Sequence, residues 1–402
     1  MNVFVARQPI FDRSQSVYGY ELLFREGLNR LVSGESGDRA TSVVIANALF
    51  FIGMRGLTRG KRAFINFTRN LLLGEAATTF PSDQIAVEVL ETVRPDGPII
   101  EACRRLKAAG YLLALDDFAY QPEFAPLIDL ADIIKVDFLA TSVADRRQLV
   151  QELRNGRIRF LAEKVETKQD FEMAMDFGYS YVQGYFFSRP DIVTARDIPG
   201  YKLNYLHTLY EINRPEIDID VLERVISHDL SLSYKLLRFI NSAYFGLRHR
   251  IHSIRHALVL LGRDEIRKWA SLVTLTGMGE EKPHELAVLA TVRAKFCELV
   301  ARRIGRGDQH TDMYLMGLFS LVDAFMDRPL EEILTELPIA DEAKWALLGK
   351  PSSFADIYHL ALAYEEADWQ TFGALATRLG LPESAGPEIY RQAVHWANQI
   401  FS

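Results

Sequence analysis

The sequence predicts an α/β domain followed by an all-α domain: a modified (β/α)8, TIM-like barrel over residues 1–195 and a helical bundle over residues 196–402. Three observations predict it. Short apolar runs alternate with amphipathic helical stretches as far as "SRPDIVTARDIPG", which begins at Ser188, the pattern of strand-helix units. The chain opens with two strand-like runs, "VFVARQPIF" and "VYGYELLF", flanking the turn-forming "DRSQS"; this hairpin suits a modified barrel better than a doubly wound sheet. Beyond Ser188 helix follows helix, and all nine histidines, from His207 to His395, lie there.

Taken in order, the strands after the hairpin are "RAFINF", "QIAVEVL", "YLLALDD", "DIIKVDF", "IRFLAEKV" and "YVQGYFF". Each is a short apolar run, as expected for strands buried on both faces. Helical stretches separate most of them; "PIIEACRRLKAAG" ends on glycine, a stop signal. The second half reads as helices at "VLERVISH", "LSYKLLRFINSA", "IRHALVLLG", "DEIRKWASLVTL" and "ELAVLATVRAKFCELVARRIG".

Composition narrows the class. The 402 residues are 49% hydrophobic and 25% charged, enough apolar material for two or three domains with cores of their own. Lysine plus arginine number 46 against 53 acidic residues, a net charge of -7 that gives no electrostatic case for a nucleic-acid partner. With only Cys103 and Cys297 there is no disulfide framework and no cysteine metal cluster, which fits a reducing cytoplasm. The longest apolar stretch, "TSVVIANALFFIGM", falls short of the ~20 residues of a spanning helix, and "MNVFVARQPIFDR" lacks a signal-peptide layout. A cytoplasmic protein with no membrane partner is expected.

The polar residue closing each strand carries the chemistry. These are Glu21, Asn66, Glu88, Asp116 with Asp117, Lys135, Glu163 and Gln183. Singly, each is a solvated strand end or a helix cap. A barrel, however, brings its strand C-termini to one face, where active sites are built. A ring of hard oxygen donors suits Mg2+ or Mn2+ rather than zinc. Adjacent aspartates suit two ions clamping the attacking and leaving oxygens of phosphoryl chemistry. A nearby lysine could hold the attacking water and a further carboxylate take its proton.

These residues resemble those of the EAL domain, the family of cyclic di-GMP phosphodiesterases. "QPIFDRSQSVYGYELLFR" is similar to the family's opening, with "ELLFR" at its EALLR-like signature, and "FINF", "EVLE", "DDF", "KVD", "AEKVET" and "QGYFFSRP" follow in the family's order. The resemblance covers roughly residues 1–190. It implies metal ligands at Glu21, Asn66, Glu88 and Asp116, with Asp117 on a second ion, and Mg2+ or Mn2+ as cofactor. It further implies Lys135 orienting the hydrolytic water, Glu163 as general base, Gln183 supporting the metal-water cluster, and Gln8 and Arg25 against the dinucleotide's phosphates. Glu91 would anchor the active-site loop.

Two features depart from that pattern. The glycine-rich loop usual after the paired aspartates is replaced by "DDFAYQPEF", which has no glycine and carries Pro122. Lys164 stands where the family has glycine, which leads to the expectation of a bulky cation beside the proposed base. Residues 200–395 resemble the HDOD domain, a relative of the HD phosphohydrolases, through "DLSLSYKLLRFINSAYFG" and "SIRHALVLLGRDEIRKWASL". Ser320 and Leu321 replace the catalytic His-Asp pair, Asp229 reads as a helix cap, and His252 and His256, four apart on one predicted helical face, sit among repelling arginines. The resemblance to EAL-HDOD signalling proteins implies a degenerate barrel that senses or scaffolds, coupled to an HDOD domain binding a protein partner. The alternative is an active, metal-dependent phosphodiesterase making the linear dinucleotide. Cyclic di-GMP as ligand and a homo-oligomer are both compatible with the sequence.

Overall fold

A computed structural model describes residues 3–26, 54–116, 122–153, 156–188, 219–228, 230–242, 245, 247, 249–279, 282–382 and 384–401. They fall into two compact units, residues 1–187 with 365–369 and residues 188–364 with 370–402. The boundary expected near residue 195 lies outside the described residues.

The first unit is a closed barrel with strand order β1 to β8. β1 (Val3–Asp12) and β2 (Val17–Glu26) form the predicted antiparallel hairpin. Asp12 fixes its turn, Oδ1 accepting from the backbone N–H groups of Ser14 and Ser16 at 2.9 and 3.0 Å, an Asx turn. β1 also runs antiparallel to β8, so one reversed strand closes an otherwise parallel barrel. The parallel strands are β3 (Arg62–Phe67), β4 (Ile85–Val89), β5 (Leu112–Leu115), β6 (Ile133–Asp137), β7 (Arg159–Glu163) and β8 (Tyr181–Gln183).

Helices α1 (Met54–Thr58), α2 (Arg69–Leu73), α3 (Gly97–Ala108), α4 (Ala125–Ile128), α5 (Val143–Leu153) and α6 (Lys168–Phe177) accompany the strands. Asp96 caps α3, accepting from the Ile99 N–H at 3.1 Å, while Ile99, Ala102, Cys103 and Leu106 form its buried face.

Inside the barrel, Ile10, Phe64, Ala86, Ala114, Ile133, Leu161 and Tyr181 pack into one apolar layer. Successive side chains of a strand alternate faces, so the residue two places on shares the interior. Two places beyond this layer, in the direction of the parallel strands, stand Asn66, Glu88, Asp116, Lys135, Glu163 and Gln183; on the reversed β1 the equivalent is Gln8, paired in register with Glu21 of β2. The apolar plug is therefore the floor of a polar mouth at the strand C-termini.

The second unit is helical. Its elements begin with α7 (Ile219–His228), α8 (Leu230–Ile240), α9 (Ile254–Met278, kinked at Gly262), α10 (His284–Arg303), α11 (His310–Phe319) and α12 (Val322–Met326). Further helices are α13 (Leu330–Glu336), α14 (Asp341–Leu347), α15 (Ala355–Glu365), α16 (Trp369–Arg378) and α17 (Ala385–Ile400). α10 and α11 pack so closely that a Cβ on Gly317 would lie 2.7 Å from the Ala294 Cα. No helix among the described residues is long and apolar enough to cross a membrane.

Candidate active site

The polar mouth converges on one ammonium group. Lys135 Nζ, with its side chain 1% exposed, lies 2.7 Å from Asp116 Oδ1, 2.8 Å from Glu163 Oε1, 2.9 Å from Glu88 Oε1 and 3.7 Å from Glu21 Oε2. Amides brace the rim: Gln183 Nε2 donates to Glu21 Oε2 at 2.6 Å and to Gln8 Oε1 at 3.0 Å, and Asn66 Nδ2 donates to Glu21 Oε1 at 3.1 Å. Gly184 holds the end of β8 against the chain after β7. Its φ is +145° and a Cβ there would lie 2.2 Å from the Val165 carbonyl oxygen, so only glycine fits.

Fully ionised, four carboxylates around one ammonium would leave three net negative charges in a site shut off from water, which is prohibitive at low dielectric. The strain shows in the titration of the acids. Burial pushes the Glu88 carboxyl well above its ordinary value, with Glu21 and Asp116 adding to the rise and Lys135 opposing it. Burial likewise raises Glu163, to about 8, again with Lys135 opposing and Asp116 and Glu21 contributing. Burial lowers Lys135, but the four surrounding carboxylates outweigh it and hold the ammonium well above its usual range.

Among the described residues no group of three or more His, Cys, Asp or Glu side chains is arranged to hold a metal ion; here the carboxylates close on Lys135. Their chemistry nonetheless fits a hard cation. Asn66 Oδ1, Glu88 Oε2, Glu163 Oε2 and Gln183 Oε1 are buried oxygens without a hydrogen-bond donor. Buried acceptors left unsatisfied are costly and mark where a further positive group belongs. Oxygen donors of this kind suit a hard cation.

The remaining expected residues are dispersed. Gln8 is half-buried on the rim, Arg25 falls opposite Phe4 in the β1–β2 register, and Glu91 is exposed in the turn after β4. Asp117 and most of the "DDFAYQPEF" loop lie outside the described residues, as does Asp229. Lys164, expected beside the base, directly follows Glu163 and pairs with Asp137, the register partner of Glu163. Its backbone takes the left-handed conformation (φ +54°) that glycine would favour, and its half-exposed side chain donates to Asp137 Oδ2. Asp137 was absent from the expected set although the "KVD" run contains it. It lies two residues beyond Lys135 on the same strand face, is paired in register with Glu163, and accepts from the Leu139 and Ala140 N–H groups at 2.7 and 2.9 Å. Period-two counting along β6 would have found it.

In the helical unit, His252 precedes the N-cap Ser253 of α9 and His256 follows it, so the two do not share a helical face. Both are exposed. Ser320 Oγ accepts from Arg293 Nη1 at 2.8 Å and Leu321 is buried.

A strand-order barrel with one reversed strand and an acidic C-terminal mouth, continued by a helical unit, defines the class. The EAL domain matches residues 45–190 and the HDOD domain residues 201–327, and the chain belongs to the EAL-HDOD family. Gln8, Glu21 and Arg25 precede the matched EAL segment, in a part of the chain that the full-length similarity to YuxH covers. The chain is 38% identical to the uncharacterized protein YuxH of Bacillus subtilis, over 100% of this chain and 99% of that one. It is 36% identical to the cyclic di-GMP phosphodiesterase CdgJ of Vibrio cholerae, over 99% and 93%. Among solved structures, Klebsiella pneumoniae BlrP1 with calcium and cyclic di-GMP is similar at 22% identity and a TM-score of 0.39, over 47% of this chain and 56% of that one.

Proposed function

We propose that the barrel binds cyclic di-GMP and hydrolyses it to the linear dinucleotide with the help of divalent metal. The observation that carries this reading is the set of buried, donorless oxygens on Asn66, Glu88, Glu163 and Gln183 around the Lys135 ammonium. The full-length similarity to CdgJ supports the choice of substrate.

In this reading Glu21, Asn66, Glu88 and Asp116 hold one Mg2+ or Mn2+ and Asp117 contributes to a second. Such ions would neutralise phosphodiester charge and acidify a water molecule. Glu163, ionised once a bound cation offsets the neighbouring carboxylates, would take the water's proton. Lys135, released from the carboxylates, orients that water through its ammonium. Gln183 keeps Glu21 and Gln8 in place through its amide. Gln8 and Arg25 would contact the dinucleotide's phosphates, for which an arginine fork is well matched, and Glu91 would steady the loop after β4. The HDOD unit, with Ser320 and Leu321 in place of metal-binding residues, serves a protein partner. A cytoplasmic setting goes with this reading and is supported by two buried free cysteines.

A second reading, a barrel that senses the nucleotide without turning it over, is favoured by one observation: "DDFAYQPEF" lacks the glycines of the usual loop. Incubating the full chain with cyclic di-GMP and Mn2+ or Mg2+, while following linear product by chromatography and binding by calorimetry, separates the two. Turnover that falls about 100-fold or more in Glu163→Gln, with binding retained, is expected for loss of a general base. Binding by the wild type with no product establishes the sensor instead.

A further inference from the structure

We propose that the helical unit carries a binding site for a small amphipathic anion: a flat apolar body bearing one acidic group. A cavity of about 490 Å³ opens between α8, α9 and α17, within the roughly 300–1,000 Å³ range of small-ligand sites. Its walls include Phe239, Trp269, Leu272, Val273, Trp396 and Phe401. Trp269 and Trp396 are themselves buried, so the rings are held by the surrounding core. The Phe239 and Trp269 rings lie 6.5 Å apart at 32°, forming part of a wall suited to a planar body.

Two of the polar side chains in that wall are engaged locally. Asn241 donates to the Leu237 and Ile251 carbonyls and accepts from the Ile251 N–H, and Thr276 donates to the Val273 carbonyl at 2.8 Å. Gln399 Oε1, also in the lining, is a buried acceptor without a donor.

Among the described residues, charge enters the lining from α8 alone. Lys235 and Arg238, both exposed, stand three apart on α8 and line the cavity, a spacing that puts them on one helical face. No acidic side chain is among the described residues lining it; Lys235 pairs with no described acid, while Arg238 has a further interaction of its own. In a chain of net charge -7, two cations on a largely apolar cavity favour an anionic head at the entrance with the body among the rings. Because the ligand touches α8 and α17, it would clamp the early and the last helices of the unit together.

The test uses the full-length protein and two probes with the same ring skeleton: 1-anilinonaphthalene-8-sulfonate, which is anionic, and N-phenyl-1-naphthylamine, which is uncharged. Two of the chain's four tryptophans line the cavity, so binding is read by energy transfer from tryptophan. The sulfonate is expected to saturate at one equivalent. Lys235→Gln with Arg238→Gln, both surface changes, should weaken it on the order of fivefold, as loss of two exposed charge contacts implies, while leaving the uncharged probe unchanged. Raising salt in the wild type should reproduce that difference, and Thr276→Trp, which fills the cavity, should exclude both probes. Absence of saturable binding to the folded wild type, or equal responses of the two probes to charge removal and to salt, overturns the proposal.

Discussion

Replacing Lys135 with methionine, which keeps the chain length and removes the charge, probes the barrel mouth most severely. Its ammonium is the partner of Asp116, Glu163 and Glu88 at 2.7, 2.8 and 2.9 Å in a site shut off from water. Removing one member of a buried ion pair destabilises by about 3–5 kcal/mol, because the charge left behind is uncompensated. The carboxylates limit the damage by holding protons, and that makes the loss pH-dependent. Glu163 titrates at about 8 in the fold against an ordinary 4.5. A folded value above the unfolded one means the folded state binds the extra proton, so the associated stability is complete below about 4.5 and disappears as pH rises through about 8. Without Lys135 opposing it, this slope steepens. Hydrogen exchange of peptides covering β6 and β7, read by mass spectrometry, reports the local opening free energy directly. In EDTA the variant should lose about 3 kcal/mol or more at pH 8, distinctly less at pH 5, and recover much of the difference when Mn2+ supplies the missing positive charge. A loss equal at both pH values and indifferent to Mn2+ would refute the reasoning.

Two further changes test the framework around the site. Gly184→Ala places a Cβ 2.2 Å from the Val165 carbonyl at φ +145°, and should lower the unfolding free energy of the barrel by about 3 kcal/mol or more; an unchanged urea midpoint would contradict the packing described. Lys164→Gly removes a half-exposed ion pair with Asp137 and relaxes a left-handed backbone, so stability should shift by about 1 kcal/mol or less and turnover by no more than about fivefold. A tenfold or larger gain in turnover would mean that Lys164 obstructs the base after all.

Much of the barrel was legible because its signals are local. The hairpin turn at Asp12, the apolar strands and the period-two step from each interior apolar residue to the next polar one all reside in a few consecutive residues. The polar strand ends predict which side chains share the mouth, and the structure brings Glu21, Asn66, Glu88, Asp116, Lys135, Glu163 and Gln183 together there. What the strand ends do to one another was not legible. That the acids close on Lys135 depends on distances across five strands, and the direction of Lys164 depends on a backbone φ that residue type disfavours. Asp137, the last residue of β6, is itself a polar strand end and was within reach of the reading that singled out Lys135. In the helical half, the separation of His252 from His256 depends on the cap at Ser253. Spacing alone places two such residues on one face only if the helix already spans both.

The claim that the strand-end oxygens form a hard-cation site is tested most directly by titrating the full chain with Mn2+ and following the free ion by electron paramagnetic resonance, which needs no nucleotide and no turnover. The wild type should bind saturably, and Glu21→Ala with Asp116→Ala should weaken that binding by about 100-fold, each lost carboxylate ligand or its support costing on the order of tenfold or more. Equal affinity in the wild type and the double variant would contradict the account and leave the two carboxylates as partners of Lys135 and the rim amides alone.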